Sequence, residues 1–559
     1  MGKLPQLMLK DNWKELSLKA RKIYKDSLEE TLRLFPFDEE TLKEFQELPS
    51  AIGGSVTDFG APAPSPIEEY KRVLPKKSAE ITETDPYDLV QMIKKGKYSC
   101  MEVLNAYFHA AILASKLTNC VYEFLPQESL KVAKYLDDNF DKLKDKLPLF
   151  GLPFSIKEMI PFVNRSVTHG SLCYLDRVVD YNADIVEILL KAGANAFVRT
   201  TNPQSLMMLE CESYTHGRTV NPFNSSLTCG GSSGGEGALN GIGGSAIGLG
   251  SDIGGSIRCP SAFNGIYGLR LTVGRLPTGD YMSCQMGSEA ILSVTGPLTR
   301  SLDLLELFTK TIIDSKPWTI DPTLASIEWK SEPKDKKFKI GILSHDGVVA
   351  PHPPVKRALN LVKEKLMELD NVEVFEFTPY EHARAQKIIT SLYFEDGGAD
   401  TKNTLLDTGE PMCEQTKWAL GNENVKPLTF PEQWKLNIEK QKYRKEYLKY
   451  WNQFEADAII APVFPGPAAK HRTAKYWGYT SQWNLLDYPV LVFPVTKVDL
   501  DLDHPDSEYK PLNDIDEFTY KQYDSAKSFE NAPVCLGAVG LRNTEEKLIT
   551  IGKILRDIT

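Results

Sequence analysis

Residues 229–256 read CGGSSGGEGALNGIGGSAIGLGSDIGGS and contain 12 glycines and 5 serines. Glycine in an ordered element costs roughly 0.5–1 kcal/mol relative to alanine, so such a density needs a physical reason. Close approach of backbone N–H groups to a ligand is one reason, and backbone conformations closed to other residues are another. Ser232–Ser233 and Ser256 each follow a Gly-Gly pair. We interpret the stretch as a serine nucleophile with its oxyanion hole.

Four other interpretations of this stretch have to be weighed. A flexible Gly/Ser linker would lack the apolar residues found between the glycines. A phosphate-binding loop needs a lysine, and no Lys or Arg occurs between 229 and 257. A dinucleotide fingerprint at 241–244 lacks its preceding strand and its acidic residue. A nucleophile elbow at 231–235, with Ser233 as nucleophile, should follow an apolar strand, whereas 221–229 is typical of a loop.

A candidate base lies upstream, in the apolar run LFGLPFSIKEMI at 149–160. A lysine in such a run is commonly a strand-end or surface residue. If Lys157 is buried instead, desolvation lowers the pKa of its amine, and the neutral amine can accept a proton from a serine. Ser–Lys arrangements are known variants of the hydrolytic triad. The residues alone do not place Lys157 beside Ser232 or Ser256.

Three segments together resemble the amidase signature family. They are GLPFSIKE (151–158), GGSSGGEGAL (230–239) and GSDIGGSIRCPSAFNGIYGLR (250–270). The resemblance extends over about 85–555. The segment AKYWGYTSQWNLLDYPVLVFPV (474–495) is similar to fungal acetamidases in particular, and the first two motifs are also similar to fatty acid amide hydrolases.

The resemblance implies a Ser–Ser–Lys triad. Ser256 would be the acylated nucleophile, Ser232 would follow a cis peptide bond and relay protons, and Lys157 would be the final base. Further roles are implied for the oxyanion hole and substrate contacts (backbone N–H groups of Ile253, Gly254, Gly255 and Ser256, with Leu206) and for support (Ser233, Asp252 and Arg258). Ser233 is expected to hydrogen-bond Lys157. One departure is GLRLT at 268–272, where relatives have Gly-Leu-Lys-Pro-Thr, and we expect a small local effect.

Composition excludes several classes of protein. The chain has 559 residues and a formal net charge of −10, with no basic stripe, so we expect no nucleic-acid partner. Its nine cysteines are scattered and form no CxxC pair, and no histidines have the spacing of a zinc site. We therefore expect no disulfide framework, no bound metal and no cofactor. The N-terminus lacks a signal-peptide pattern and no apolar run could span a bilayer. These features predict a cytoplasmic protein without stable membrane insertion.

The predicted organisation is a helical N-terminal arm with a Gly/Pro linker at 1–80, followed by a catalytic domain at 81–559. From the family we expect that domain to be a single large α/β/α unit with a central mixed β-sheet flanked by helices. The segment 423–450 is polar and lysine-rich, which argues against an apolar surface for lipid access. We expect 499–527 to be an acidic, solvated insertion.

The predicted function is hydrolysis of a carboxamide to an acid and ammonia through an acyl-enzyme. The expected partner is a small to medium primary amide such as acetamide, and a homodimer is the assembly to test. A fatty acid amide hydrolase is one alternative. A non-catalytic or amidotransferase-type subunit on the same fold is an alternative of another class.

Overall fold

The computed structural model describes residues 11–55 and 57–559. The helices in this part of the chain are α1 (Trp13–Leu34), α2 (Glu39–Glu47), α3 (Pro66–Val73), α4 (Lys76–Glu83), α5 (Pro86–Lys94), α6 (Cys100–Thr118), α7 (Pro126–Asp138), α8 (Phe140–Leu143), α9 (Asp184–Lys191), α10 (Gly234–Ile242), α11 (Arg258–Phe263), α12 (Leu302–Asp314), α13 (Pro353–Met367), α14 (His382–Tyr393), α15 (Ala399–Leu406), α16 (Glu414–Leu420), α17 (Phe430–Asn452), α18 (Gly478–Leu486), α19 (Asp514–Tyr520) and α20 (Glu545–Ile558).

The strands of the same residues are β1 (Val121–Phe124), β2 (Pro153–Lys157), β3 (Arg165–Ser166), β4 (Val178–Val179), β5 (Asn195–Thr200), β6 (Glu212–Ser213), β7 (Gly217–Arg218), β8 (Ile247–Asp252), β9 (Tyr267–Arg270), β10 (Val294–Thr299), β11 (Phe338–Ile342), β12 (Val372–Glu376), β13 (Ala458–Pro462), β14 (Val490–Lys497) and β15 (Pro533–Val539). An 11-stranded sheet has the order β1-β5-β2-β8-β10-β9-β14-β15-β13-β11-β12.

The sheet is mixed, as the family resemblance implies. Strands β5, β2 and β8 are parallel to one another, and so are β12, β11 and β13. The strands between these two groups, from β10 to β15, pair antiparallel. Helices pack on the sheet, and the predicted α/β/α architecture is confirmed. The carboxyl ends of β2 and β8 meet at one edge because the two strands are parallel neighbours.

The glycine-rich stretch folds as a helix followed by a central strand. The helix α10 ends at Ile242, and Ile247 begins β8. Gly243 has a φ of 97° and ends the helix in the left-handed region, where glycine is favoured. The strand β8 then leads directly into the second Gly-Gly-Ser.

The N-terminal helix α1 packs on the body of the fold, against β1. The Ser17 hydroxyl donates to the Tyr214 carbonyl oxygen at 2.5 Å, and Ala20 is buried against Leu172 and Leu175. The predicted arm is therefore helical and tightly docked. The division at residue 80 stays a prediction.

Two segments differ from their sequence interpretation. The 499–527 segment is not simply solvated, because Asp503 and Asp516 are buried and Asp503 pairs with Arg357 at 2.8 Å. The 423–450 segment is not uniformly polar, because Phe430, Trp434 and Ile438 lie four residues apart on α17 and are exposed. Composition misses this spacing, which places all three side chains on one helix face.

Among residues 11–55 and 57–559, no helix combines the length and the apolar character needed to cross a bilayer.

Candidate active site

Lys157 lies at the carboxyl end of β2 and is fully buried. Its Nζ donates to the Ser232 hydroxyl at 2.7 Å and to the Ser251 hydroxyl at 2.9 Å. Because β2 and β8 are parallel neighbours with Ile156 opposite Leu249, Ser251 lies one residue beyond the position opposite Lys157, and its hydroxyl accepts from the amine. The structure thus settles the position of Lys157: it is buried and in contact with the first Gly-Gly-Ser.

Burial lowers the pKa of Lys157 from 10.5 to about 7. Cys211 and the nearby carboxyl groups of Asp252, Glu236 and Glu158 act in the opposite direction, but they do not outweigh desolvation. A substantial fraction of the amine is therefore neutral at pH 7 and able to accept a proton.

The peptide bond between Gly231 and Ser232 is cis. A Cβ on Gly231 would lie 2.0 Å from the Glu210 carbonyl oxygen, so only glycine fits at this position. The expected hydrogen bond between Ser233 and Lys157 is wrong. The Ser233 hydroxyl instead donates to the Ser251 carbonyl oxygen at 3.2 Å, and Ser251 is the residue that holds the lysine. Sequence offers no signal that separates the two serines, because the difference depends on strand register.

Ser256 follows β8 in a tight loop whose conformation several contacts fix. The Ser233 N–H donates to the Ser256 carbonyl oxygen at 3.1 Å, which joins the two Gly-Gly-Ser segments. Gly255 has a φ of 132°, and a Cβ there would lie 2.6 Å from the Thr480 hydroxyl. That hydroxyl donates to the Gly254 carbonyl oxygen at 2.6 Å.

The carbonyl oxygens of Ile253 and Gly254 accept hydrogen bonds from side chains outside this loop. Backbone N–H groups of the loop can then donate to a bound substrate. The Tyr393 hydroxyl donates to the Ile253 carbonyl oxygen at 2.8 Å. The Gly255 N–H donates to Asp252 at 3.0 Å, so this member of the expected oxyanion hole already has an acceptor. In the described part of the chain, no acceptor is found for the N–H groups of Ile253, Gly254 and Ser256.

Asp252 and Arg258 form a buried ion pair beneath the loop. The Arg258 guanidinium donates to both Asp252 oxygens, at 2.8 and 3.0 Å, and to the Thr480 carbonyl oxygen at 2.7 Å. The Asn484 amide adds a bond to Asp252 at 3.0 Å. Burial acts to raise the pKa of Asp252, but Arg258 and these hydrogen bonds outweigh it and hold that pKa well below its usual range. The pair therefore stays charged and fixes the loop.

A small pocket opens beside Ser256. Its lining residues are Leu206, Met207, Met208, Leu209, Ile253, Gly254, Ser256 and Trp477. Leu206 therefore lies where the resemblance implies a substrate contact. Ser205 and Leu206 have φ values of 61° and 62°, and such backbone outliers cluster at functional sites.

Three of the histidines make contacts away from Lys157 and Ser232. The His169 ring packs on Tyr174, His216 hydrogen-bonds the Ser213 hydroxyl, and His471 donates to the Ser225 carbonyl oxygen. In the ranges 11–55 and 57–559, no group of three or more His, Cys, Asp or Glu could hold a metal ion.

Sequence reasoning missed four residues of the site. They are Ser251, which bonds Lys157; Thr480 and Asn484 of α18, which hold the loop and its aspartate; and Tyr393 of α14. Thr480 and Asn484 lie in the 474–495 segment that the resemblance covers, but their contacts with residues more than 220 positions away are visible only in the fold.

A model of the Amidase family matches residues 102–549, about four-fifths of the chain. The chain belongs to the amidase family. It is 37% identical to an acetamidase of Emericella nidulans over 519 residues, 88% of this chain and 94% of the relative. It is 35% identical to an acetamidase of Aspergillus oryzae over 531 residues, 92% and 95% of the two chains. These similarities identify the protein as a hydrolytic amidase.

The solved structure of a fatty acid amide hydrolase superposes with a TM-score of 0.88 and 32% identity, over 99% of this chain and 97% of that one. An amidase crystal structure at 22% identity has a TM-score of 0.67 and shares the fold.

Proposed function

We propose that the protein hydrolyses small to medium primary amides, such as acetamide, through an acyl-enzyme on Ser256. The observation that carries the proposal is the buried Lys157 amine, with a pKa of about 7, bonded to Ser232 beside the loop that holds Ser256. Acyl transfer requires a nucleophilic hydroxyl and, beside it, backbone N–H groups that can donate to the oxyanion, and the glycine-rich loop at Ser256 supplies both.

In the proposed mechanism, the Ser256 oxygen attacks the amide carbonyl carbon. The Ser256 proton passes to the Ser232 oxygen while the Ser232 proton passes to the neutral Lys157 amine. The N–H groups of Ile253, Gly254 and Ser256 stabilise the oxyanion. The lysine proton returns through Ser232 to the leaving nitrogen as the C–N bond breaks, which releases ammonia. Water then attacks the acyl-enzyme by the same proton route and releases the carboxylate.

Similarity to two acetamidases and the small pocket beside Ser256 support a short acyl group. The superposition with a fatty acid amide hydrolase supports a second candidate function, hydrolysis of long-chain amides by the same residues. We further propose that the enzyme works in the cytoplasm, on dissolved substrates, as a monomer or homodimer without stable membrane insertion, and that residues 81–559 form its catalytic domain.

The purified chain alone should release ammonia and acetate from acetamide. A fluorophosphonate probe should modify Ser256, as peptide mapping by mass spectrometry would show, and Ser256→Ala should lose both adduct and turnover. Ser261→Ala is the matched control, because this buried hydroxyl only donates to the Ile257 carbonyl oxygen within α11. An adduct on Ser233 would contradict the assignment of Ser256 and support the nucleophile-elbow interpretation, in which Ser233 is the nucleophile. Activity that required partner chains would favour the amidotransferase-type subunit.

A further inference from the structure

Trp477 lines two separate spaces. One is the pocket at Ser256, whose free space of about 10 Å³ is close to that of a single water molecule. The other is a cavity of about 380 Å³ between α14, α16 and the start of α18. No other residue lines both. The indole is therefore the wall that the small pocket and the large cavity share.

The position of Trp477 relative to the reacting serine is fixed. Its carbonyl oxygen accepts from the N–H groups of Thr480 at 3.0 Å and Ser481 at 2.8 Å, at the first turn of α18. The Thr480 hydroxyl in turn bonds the Gly254 carbonyl oxygen in the loop of Ser256. The indole also packs edge-on against Trp418, with ring centroids 5.4 Å apart. These contacts make it a fixed wall.

The cavity has a lining that is partly aromatic. Phe394, Trp418 and Tyr476 contribute aromatic surface, while Gln386, Lys387, Asn422, Glu423 and Lys475 contribute polar or charged groups. Apolar atoms form the larger share of the lining, as is typical of small-molecule sites. Its volume exceeds what a short alkyl or phenyl group needs.

Two other walls of the Ser256 pocket are backbone segments with a defined conformation. One is the loop at Ile253 and Gly254, which Tyr393 and Thr480 hold by hydrogen bonds. Another is Leu206–Leu209, whose first residue has a positive φ, as Ser205 before it does. An acyl chain longer than a few carbons can therefore gain room in this direction only if the indole is absent.

We propose that Trp477 is the specificity-determining residue that restricts the enzyme to short acyl groups, and that the cavity behind it is an acyl subsite for medium alkyl or aryl chains, closed in the native protein. This inference rests on the proposed acyl-enzyme mechanism. It adds which residue limits the substrate and where a longer chain would bind.

The test compares kcat/KM for acetamide and hexanamide in the native enzyme and three variants. Trp477→Ala and the milder Trp477→Leu should raise the hexanamide-to-acetamide ratio by about tenfold or more. Hexanamide has four more methylenes than acetamide, and burial of each can raise kcat/KM roughly fourfold. A tenfold change in the ratio therefore requires only part of that gain. Trp477→Phe is the matched control, because it keeps an aromatic wall, although a smaller one, and removes the indole N–H. That N–H is buried and has no acceptor in the described residues. Its ratio should stay within about threefold of the native value.

Active Trp477→Ala or Trp477→Leu enzyme with an unchanged ratio would overturn the proposal. So would a Trp477→Phe ratio that rises as far as that of Trp477→Ala, since an aromatic side chain at this position would then not restrict the acyl group. If neither small variant folds, the native enzyme decides: its kcat/KM should fall at least tenfold from acetamide to hexanamide, and a flat profile contradicts the proposal. Absence of hydrolysis of any amide, with no adduct on Ser256, would instead refute the proposed function.

Discussion

At the scale of single residues, two of the three carboxyl groups that act on the pKa of Lys157 do not stabilise its charged form strongly. Burial raises the pKa of Glu236 to about 8, although the hydroxyls of Ser155 and Thr200 donate to it, so this carboxyl is mostly protonated at pH 7. Asp252 is ionised, but Arg258 pairs with it at 2.8 Å and offsets its charge. Cys211 and Glu158 also act to raise the pKa of the amine, but desolvation outweighs all of these groups.

At the scale of elements, the loop between β8 and α11 acts as one unit. Its aspartate accepts from the N–H groups of Gly255 and Ile257, and α18 supplies Thr480 and Asn484 from the opposite side. Donors aimed at an oxyanion need this kind of support, since a misplacement of about 1 Å can cost about a hundredfold in rate. The charge pair beneath the loop is therefore a determinant of both stability and rate.

Asp252→Asn should lower the free energy of unfolding by about 3–5 kcal/mol, because it leaves the Arg258 charge buried without its counter-ion. We also expect kcat to fall as the loop loosens. Thermal and urea unfolding, with acetamide turnover, would measure both. Asp303→Asn is the matched control, since its partner Arg556 and Asp303 itself are partly exposed, and it should change stability by about 0–1 kcal/mol. Equal effects of the two variants would contradict this account of the ion pair.

At the scale of the whole molecule, one sheet of 11 strands spans the fold and the N-terminal helix docks on its β1 edge. The site lies at the ends of β2 and β8 near one side of this sheet, and α14 and α18 complete it from the later part of the chain. Elements more than 200 residues apart thus meet at the nucleophile loop.

Ala20→Leu should destabilise the whole protein by about 1–3 kcal/mol, because the added methylenes have no room against Leu172 and Leu175. Leu18→Ala, at a side chain that is 58% exposed on the same helix, should change stability by less than about 0.5 kcal/mol. Differential scanning calorimetry would show whether the main transition moves. If Ala20→Leu moves only a small separate transition, α1 unfolds independently of the catalytic domain.

The resemblance to the amidase signature family predicted the mixed sheet, and the glycine-framed serines and the lysine in an apolar run are local patterns that a sequence displays directly. Contacts that depend on the fold were missed. Ser251 at the end of β8 accepts from Lys157 where Ser233 was expected to, and Thr480 reaches the loop from a helix 226 residues away. The exposed face of α17 was missed because composition averages over the helix surface.

The central claim is that Lys157, neutral and linked through Ser232, is the base for Ser256. Its most direct test is the pH dependence of kcat/KM for acetamide, which reports the pKa of the essential base in the free enzyme. Activity should rise with pH to a midpoint near 7 and then stay level, because only the deprotonated amine accepts the proton. Lys157→Ala should lose this limb and reduce kcat by about 10²–10⁴.

Lys440→Met is the matched control, because burial lowers the pKa of this second lysine to about 8 while its Nζ donates to the Ala290 carbonyl oxygen, away from the triad. It should keep the limb near 7. A Lys157→Ala enzyme that retains the native limb and most of its turnover would contradict the assignment of Lys157 as the base.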